Sequence, residues 1–273
     1  MSVRDSLLSW SQQPQEAVGI NPAWGLSPEL VWSAAPVDDQ IWTPGGAFPQ
    51  VVTAAGRGLT FTGGQSVGMT RQGRPNFAAT KFTAVVVFDW TSGASNNYPQ
   101  LLQLGGPENC GFIVGALSPS GGDIALVKGG VSVVGSGLAL TSGVTYVLVM
   151  SHDQVSGEYY ALLRPPAGGA TTRDSANNTA VSYNSVSGVM AFGIGRRDLP
   201  VSWNGSVYFA FASYDFLPEA GGRELLHNPW ALIEGRSIYV PPSVAALAPN
   251  ITAVYADSVT ASSVTPRVTL DFA

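Results

Sequence analysis

Ionisable side chains are scarce in this chain. Asp, Glu, Lys and Arg make up 11% of the 273 residues, against about 25% in an average soluble domain. Lysine occurs only at Lys81 and Lys128, and the formal net charge is −5. Phosphate backbones are gripped by clustered Lys and Arg, so nucleic acid is not an expected partner. Cysteine is nearly missing as well. Cys110 stands alone, which rules out a disulfide within the chain, and with no Cys–His pairing nearby it reads as a small buried or turn residue. The two histidines, His152 and His227, lack the paired ligand spacing of a zinc site. No stretch approaches the ~20 apolar residues of a membrane-spanning helix. Met1 to Gln15 lacks the apolar core of a secretion signal. The expectation is a protein made and kept in a cytoplasm, or carried out of it without a signal sequence, with no membrane partner, cofactor or metal.

Glycine and proline, by contrast, are abundant, with 32 and 19 copies. They punctuate the chain at the spacing of short antiparallel strands, and the segments between them are rich in Val, Phe, Tyr and Thr. Phe82 to Trp90 (FTAVVVFDW) is too β-branched for a helix and is read as a strand buried on both faces. Val144 to Ser151 and Glu158 to Leu163 flank His152–Gly157, a hairpin with a polar loop. Gly205 to Tyr214 alternates Val207, Phe209 and Phe211 against Tyr208, Ala210 and Ala212. About ten to twelve such strands are enough for two stacked sheets. Helix is expected in two places, a short turn from Asp5 to Gln12 and one or two turns over Pro218 to Ile233, broken at Pro229. Beyond Pro241-Pro242 the chain loses almost all charge, and Asn250 to Ala273 reads as two extended strands around Ser258 to Ser263. The fold class is therefore all-β, a jelly-roll β-sandwich with a short helix near 218–233 and extended terminal arms. The boundaries are 1–19 for the N-terminal arm, 20–242 for the sandwich and 243–273 for a C-terminal β arm.

Reactive constellations are few. Gly64-Gln65-Ser66-Val67-Gly68 matches the G-x-S-x-G pattern of serine hydrolases, whose serine needs a strand-to-helix turn. Gly73 and Pro75 prevent a long helix there, so a turn between two strands is the simpler reading. His152 beside Asp153 reads as a solvated turn, and His227 before Asn228-Pro229 as a polar helix end. Asp153, Asn177 and Asn178 offer loop oxygens to calcium, but polar loop residues account for them more simply. A sugar hydrolase needs two carboxylates facing one scissile bond. No strand carries such a pair, and Asp153 with Glu158 straddles a turn. No catalytic residue is assigned.

Several segments, in order, resemble the laminin-G-like or concanavalin-A-like jelly roll. They are Asn21-Pro22-Ala23-Trp24-Gly25-Leu26 with Leu30-Val31-Trp32, Gly58-Leu59-Thr60-Phe61-Thr62-Gly63, Gly143 to Val149 with its hairpin, and Phe192-Gly193-Ile194-Gly195 with Trp203-Asn204-Gly205-Ser206-Val207. Leu217-Pro218 through Asn228-Pro229-Trp230-Ala231-Leu232-Ile233 resembles the "L-x-x-N-P-W-Q-L-F" tail that follows such domains in phage and prophage proteins. It departs from that tail at Ala231 and Ile233. In this assembly and packing motif of Asn228, Pro229, Trp230 and Leu232, Trp230 and Leu232 would clamp a closing helix onto the sandwich, with Pro229 setting the bend.

That resemblance implies a non-enzymatic virion structural protein, a capsid decoration protein or a tail or fibre component. Its partners would be other virion proteins, and it would form a homo-oligomer, a trimer being favoured. Low charge suits this, because neutral surfaces meet without desolvating ions. The alternative is a carbohydrate-binding module for host surface glycan, with Trp90, Asn97, Tyr98, Asn177 and Asn178 as contacts. A polysaccharide hydrolase is the remote alternative.

Overall fold

The β-branched run Phe82–Phe88 lies at the middle of the molecule, and every one of its side chains is buried. The coordinates are a computed structural model that describes residues 18–33, 43–44, 48–53, 55–62, 69–72, 77–91, 100–104, 112–116, 123–128, 131–165, 172–174, 183–185, 189–192, 203–235, 251–253 and 268–270. In chain order the strands begin with β1 (Val18–Ile20), β2 (Pro28–Ser33), β3 (Thr43–Pro44), β4 (Gln50–Thr53), β5 (Gly56–Thr62), β6 (Met69–Gln72) and β7 (Phe77–Ala79). There follow β8 (Lys81–Asp89), β9 (Gln100–Leu104), β10 (Phe112–Ala116), β11 (Asp123–Lys128), β12 (Val131–Ala139), β13 (Thr145–Asp153) and β14 (Glu158–Arg164). The last are β15 (Thr172–Asp174), β16 (Tyr183–Ser185), β17 (Val189–Phe192), β18 (Asn204–Ser213), β19 (Ile233–Gly235), β20 (Ile251–Ala253) and β21 (Val268–Leu270). The helix α1 covers Glu219–His227, and Pro22–Trp24 and Pro229–Leu232 are 3₁₀ turns.

These strands build the all-β sandwich expected from the sequence. One sheet runs β15-β14-β13-β8-β18-β5-β4, with β2 also on β18, and the other runs β12-β11-β10-β9-β17-β6-β3. The pairings within both are antiparallel. Because side chains alternate along a strand, β8 serves two cores. Phe82, Ala84, Val86 and Phe88 pack with Met69 and Leu102 of the facing sheet. Val85 and Val87 pack with Leu225, Leu226 and Trp230 of the closing segment. Each large side chain buried this way contributes roughly 1.5–3 kcal/mol before entropy is counted.

Three local expectations need correction. In β18, Val207 shares the inter-sheet core with Ala210 and Ala212, while Tyr208, Phe209 and Phe211 lie in the other core. Strict alternation fails because the register against β8 shifts between Val207 and Phe209. Tyr208 is the extra residue of this bulge, which puts two consecutive side chains on one face. The bulge falls where the neighbour of β18 changes from β5 to β2. His152 is not in a solvated loop. It is 1% exposed and pairs with Phe82 and Tyr159 within β13, so the hairpin turn is only Gln154–Gly157. Asp153 likewise belongs to the strand.

The helix expectation stands: α1 stops before Pro229, whose ring cannot continue it, and a 3₁₀ turn follows. Met69–Gln72 is a strand rather than the start of a helix. β1 spans the position expected to divide arm from sandwich, and it pairs with β19. β20 and β21 pair with each other. The Asp5–Gln12 turn, Gly64–Gly68 and Cys110 lie outside the described residues.

Candidate functional site

Among the described residues, three places around the hairpin and the closing segment bind polar side chains to the backbone. The first is the β13–β14 hairpin. Asp153 Oδ1 accepts the amides of Val155 at 2.8 Å and Ser156 at 3.4 Å, and Oδ2 lies 3.5 Å from Lys81 Nζ. Burial pushes the Asp153 carboxyl up, but the two amides and Lys81 outweigh it, so its pKa falls below the ordinary 3.8. An ionised carboxylate spent on turn amides is suited to holding the turn and ill suited to donating a proton. Its opposite residue Glu158 is exposed, and the His152 ring stands edge-on to Tyr159 at 6.0 Å.

The second place holds the segment that leads into α1. Leu217 N donates to both Thr83 Oγ1 at 3.1 Å and Ser151 Oγ at 3.0 Å. Thr83 Oγ1 donates to the Asp215 carbonyl at 2.7 Å, and Tyr160 Oη donates to the Leu217 carbonyl at 2.8 Å. Polar groups buried under the helix are thus paired with its leader, as burial requires. The helix then lies very close to the sheet. A Cβ on Gly222 would come within 2.5 Å of Tyr160 Oη, so only glycine lets the backbone rest on that ring.

The third place is the closure itself. Trp230 is fully buried and stands edge-on to Phe209 at 5.1 Å. The Ala231 carbonyl accepts from Asn21 Nδ2 at 3.0 Å and from Trp24 Nε1 at 2.7 Å. Asn21 N donates to the Leu232 carbonyl at 2.9 Å, and Asn21 Oδ1 also caps the Pro22 turn through Ala23 N at 2.9 Å. Beyond this knot β1 runs beside β19, with Val18 opposite Gly235. Val18 and Gly235 therefore lie side by side.

Of the residues singled out from sequence, Pro229, Trp230 and Leu232 are buried in this closure and Asn228 is half-buried. Trp90, nominated as a glycan contact although it closes a run read as buried on both faces, is 5% exposed and packs in the inter-sheet core. No sugar can stack on it there. Asn97, Tyr98, Asn177 and Asn178 lie outside the described residues. Sequence reasoning missed the tie from Asn21 and Trp24 to Ala231. The only local signal was Asn before Pro, a capping arrangement.

No protein-family model and no curated sequence matches the chain. Among solved structures it is similar to the enzymatically active domain of bacteriophage CBA120 tailspike protein 2, at 16% identity and a TM-score of 0.49, covering 67% of this chain and 29% of that one. It is also similar to domain 4 of AbnA, an extracellular arabinanase of Geobacillus stearothermophilus, at 13% identity and a TM-score of 0.47, covering 75% and 90% of the two chains. A third likeness is to the CBM40 of the Ruminococcus gnavus IT-sialidase, at 15% identity and a TM-score of 0.41, covering 62% and 95%. These figures describe sheet architecture and say nothing of shared chemistry.

Proposed function

We propose that this chain is a non-catalytic β-sandwich subunit of a phage virion, a tail component or capsid decoration, attached to its neighbours through the segments that leave the sandwich beside β1 and β19. The observation that carries this reading is the closure. The Asn228–Leu232 tail, which resembles that of phage and prophage proteins, is consumed in packing Trp230 and in binding Asn21 and Trp24. Its role is then to fix where both ends depart, and the departing ends are what remains for assembly. The Asp153 carboxylate of the hairpin serves the backbone of its turn, which favours a binding and building role over hydrolysis. Host surface glycan is the proposed ligand class for the loops, and a homotrimer the proposed assembly.

The test is incorporation. The full chain and a chain ending before Asn250 are supplied to particles lacking the native copy. The shortened chain should fold, with the circular dichroism and melting temperature of the parent, yet be missing from particles. Normal occupancy would overturn the role of the C-terminal segment, and polysaccharide depolymerisation by the full chain would overturn the non-catalytic reading.

A further inference from the structure

The closure carries one contact that its packing does not require. α1 ends at His227, whose Nδ1 meets Nη1 of Arg164 at the end of β14. Asn228 follows directly, so the contact stands at the root of the knot that holds Asn21 and Trp24. An arginine N–H can donate to a neutral imidazole. An imidazolium has no lone pair left to accept it and sets a second cation against the guanidinium.

Among the described residues, the other groups near His227 on α1 and the turn after it are few. Arg223 and Glu224 precede it on α1 by one helical turn and carry opposite charges. The Pro229–Leu232 turn has no ionisable side chain. The apolar face that β13 contributes to this core, Val147 and Val149, is uncharged. A helix C-terminus by itself favours a cation, yet the shift at His227 runs the other way. Burial, and after it the Arg164 guanidinium, hold the His227 imidazole below its ordinary 6.5.

We propose that Arg164 and His227 form an acid-sensitive catch on the closing segment. At neutral pH the imidazole accepts from Arg164 and α1 is fastened to β14. On protonation the two cations part and the last turn of α1 lifts. The Asn228–Leu232 turn then loosens its hold on the N-terminal segment. The sign follows from the direction of the shift. With a folded-state value below the unfolded one, the fastening is complete above about 6.5 and is lost as pH falls through the lowered folded value. The catch belongs to the chain itself and does not depend on the virion reading.

Hydrogen exchange on the full chain tests it at pH 7.5 and pH 5.0, with rates corrected for the intrinsic effect of pH. Three amides report on the closure, those of Asn228, Ala231 and Asn21, bonded to Glu224, Asn228 and Leu232. In the parent chain, exchange in peptides spanning 219–235 should rise several-fold at pH 5.0, while peptides of β13 and β14 stay unchanged. His227→Gln keeps an acceptor and cannot titrate, so it should remain slow at both values. Arg164→Gln removes the opposing cation and should abolish the acid response as well. An acid rise that survives in His227→Gln, or a parent chain whose closure exchanges equally at both pH values, would overturn the catch.

Discussion

Tyr208 donates its phenol hydrogen to Asp89 Oδ2 across 2.6 Å, joining the bulged strand β18 to the end of β8. The other oxygen of Asp89 accepts Ser206 N at 2.7 Å, and its main-chain carbonyl accepts Trp203 Nε1 at 2.8 Å. The carboxylate is thus fully engaged in fixing the bulge. Tyr208→Phe should cost about 1.5–3 kcal/mol in a urea titration, the range for a hydrogen bond to a charged group. Burial, with Asp89 adding to it, pushes the Tyr208 phenol up from 10.0 to about 12. A raised value stabilises the fold below 10.0, and that contribution is lost as pH rises towards about 12. The substitution should therefore flatten the alkaline loss of stability. An unchanged alkaline profile would deny the phenol this part.

Two adjacent glycines of α1 should respond differently to alanine. Helix propensity alone favours alanine by about 1 kcal/mol. At Gly222 the new Cβ meets the ring and hydroxyl of Tyr160, at 2.5 Å from Oη, and Tyr160 is itself held by Leu217. Gly222→Ala should destabilise by about 1–3 kcal/mol through overpacking. At Gly221 the nearest atom is Leu217 Cδ1 at 2.8 Å, the far end of a side chain that can rotate. Gly221→Ala should be close to neutral. Equal effects at both positions would mean that α1 does not lie against Tyr160.

The closure divides into a packing part and a polar part. Trp230→Ala leaves a cavity beside Phe209 and should cost about 3–5 kcal/mol. Trp24→Phe keeps most of the ring but loses the donor to Ala231, and should cost about 0.5–1.5 kcal/mol. Its effect should also show as faster proteolysis within residues 18–24. A stable, protease-resistant Trp24→Phe chain would remove the polar part.

At the hairpin, Asp153→Ala removes the acceptor of Val155 and Ser156 and should cost about 1–2 kcal/mol. The lowered value of Asp153 means its contribution is present above the ordinary 3.8 and is lost as pH falls below it. Acid titrations of parent and variant should therefore converge at low pH. A constant gap down to the acid limit would show that ionisation is irrelevant to the turn.

The parts legible in the sequence are those written in neighbouring residues. Val85 to Val87 declare a strand covered on both sides, and Pro229 declares where α1 must stop. The hidden parts depend on distant partners. His152 looks like turn material until Phe82 and Tyr159 are paired on either side of it. Tyr208 breaks the alternation of its strand only because β8, β5 and β2 impose different registers. The tie from Asn21 to Ala231 spans 210 positions, beyond any local pattern.

Directly opposed residues of an antiparallel pair have Cα atoms about 4.5–5.5 Å apart, and Val18 and Gly235 are such a pair. A body whose two ends are that close makes a natural insert. Residues 18–235 could be spliced into a surface turn of an unrelated scaffold protein with little strain on either, because the host would see only the span of one ordinary hairpin.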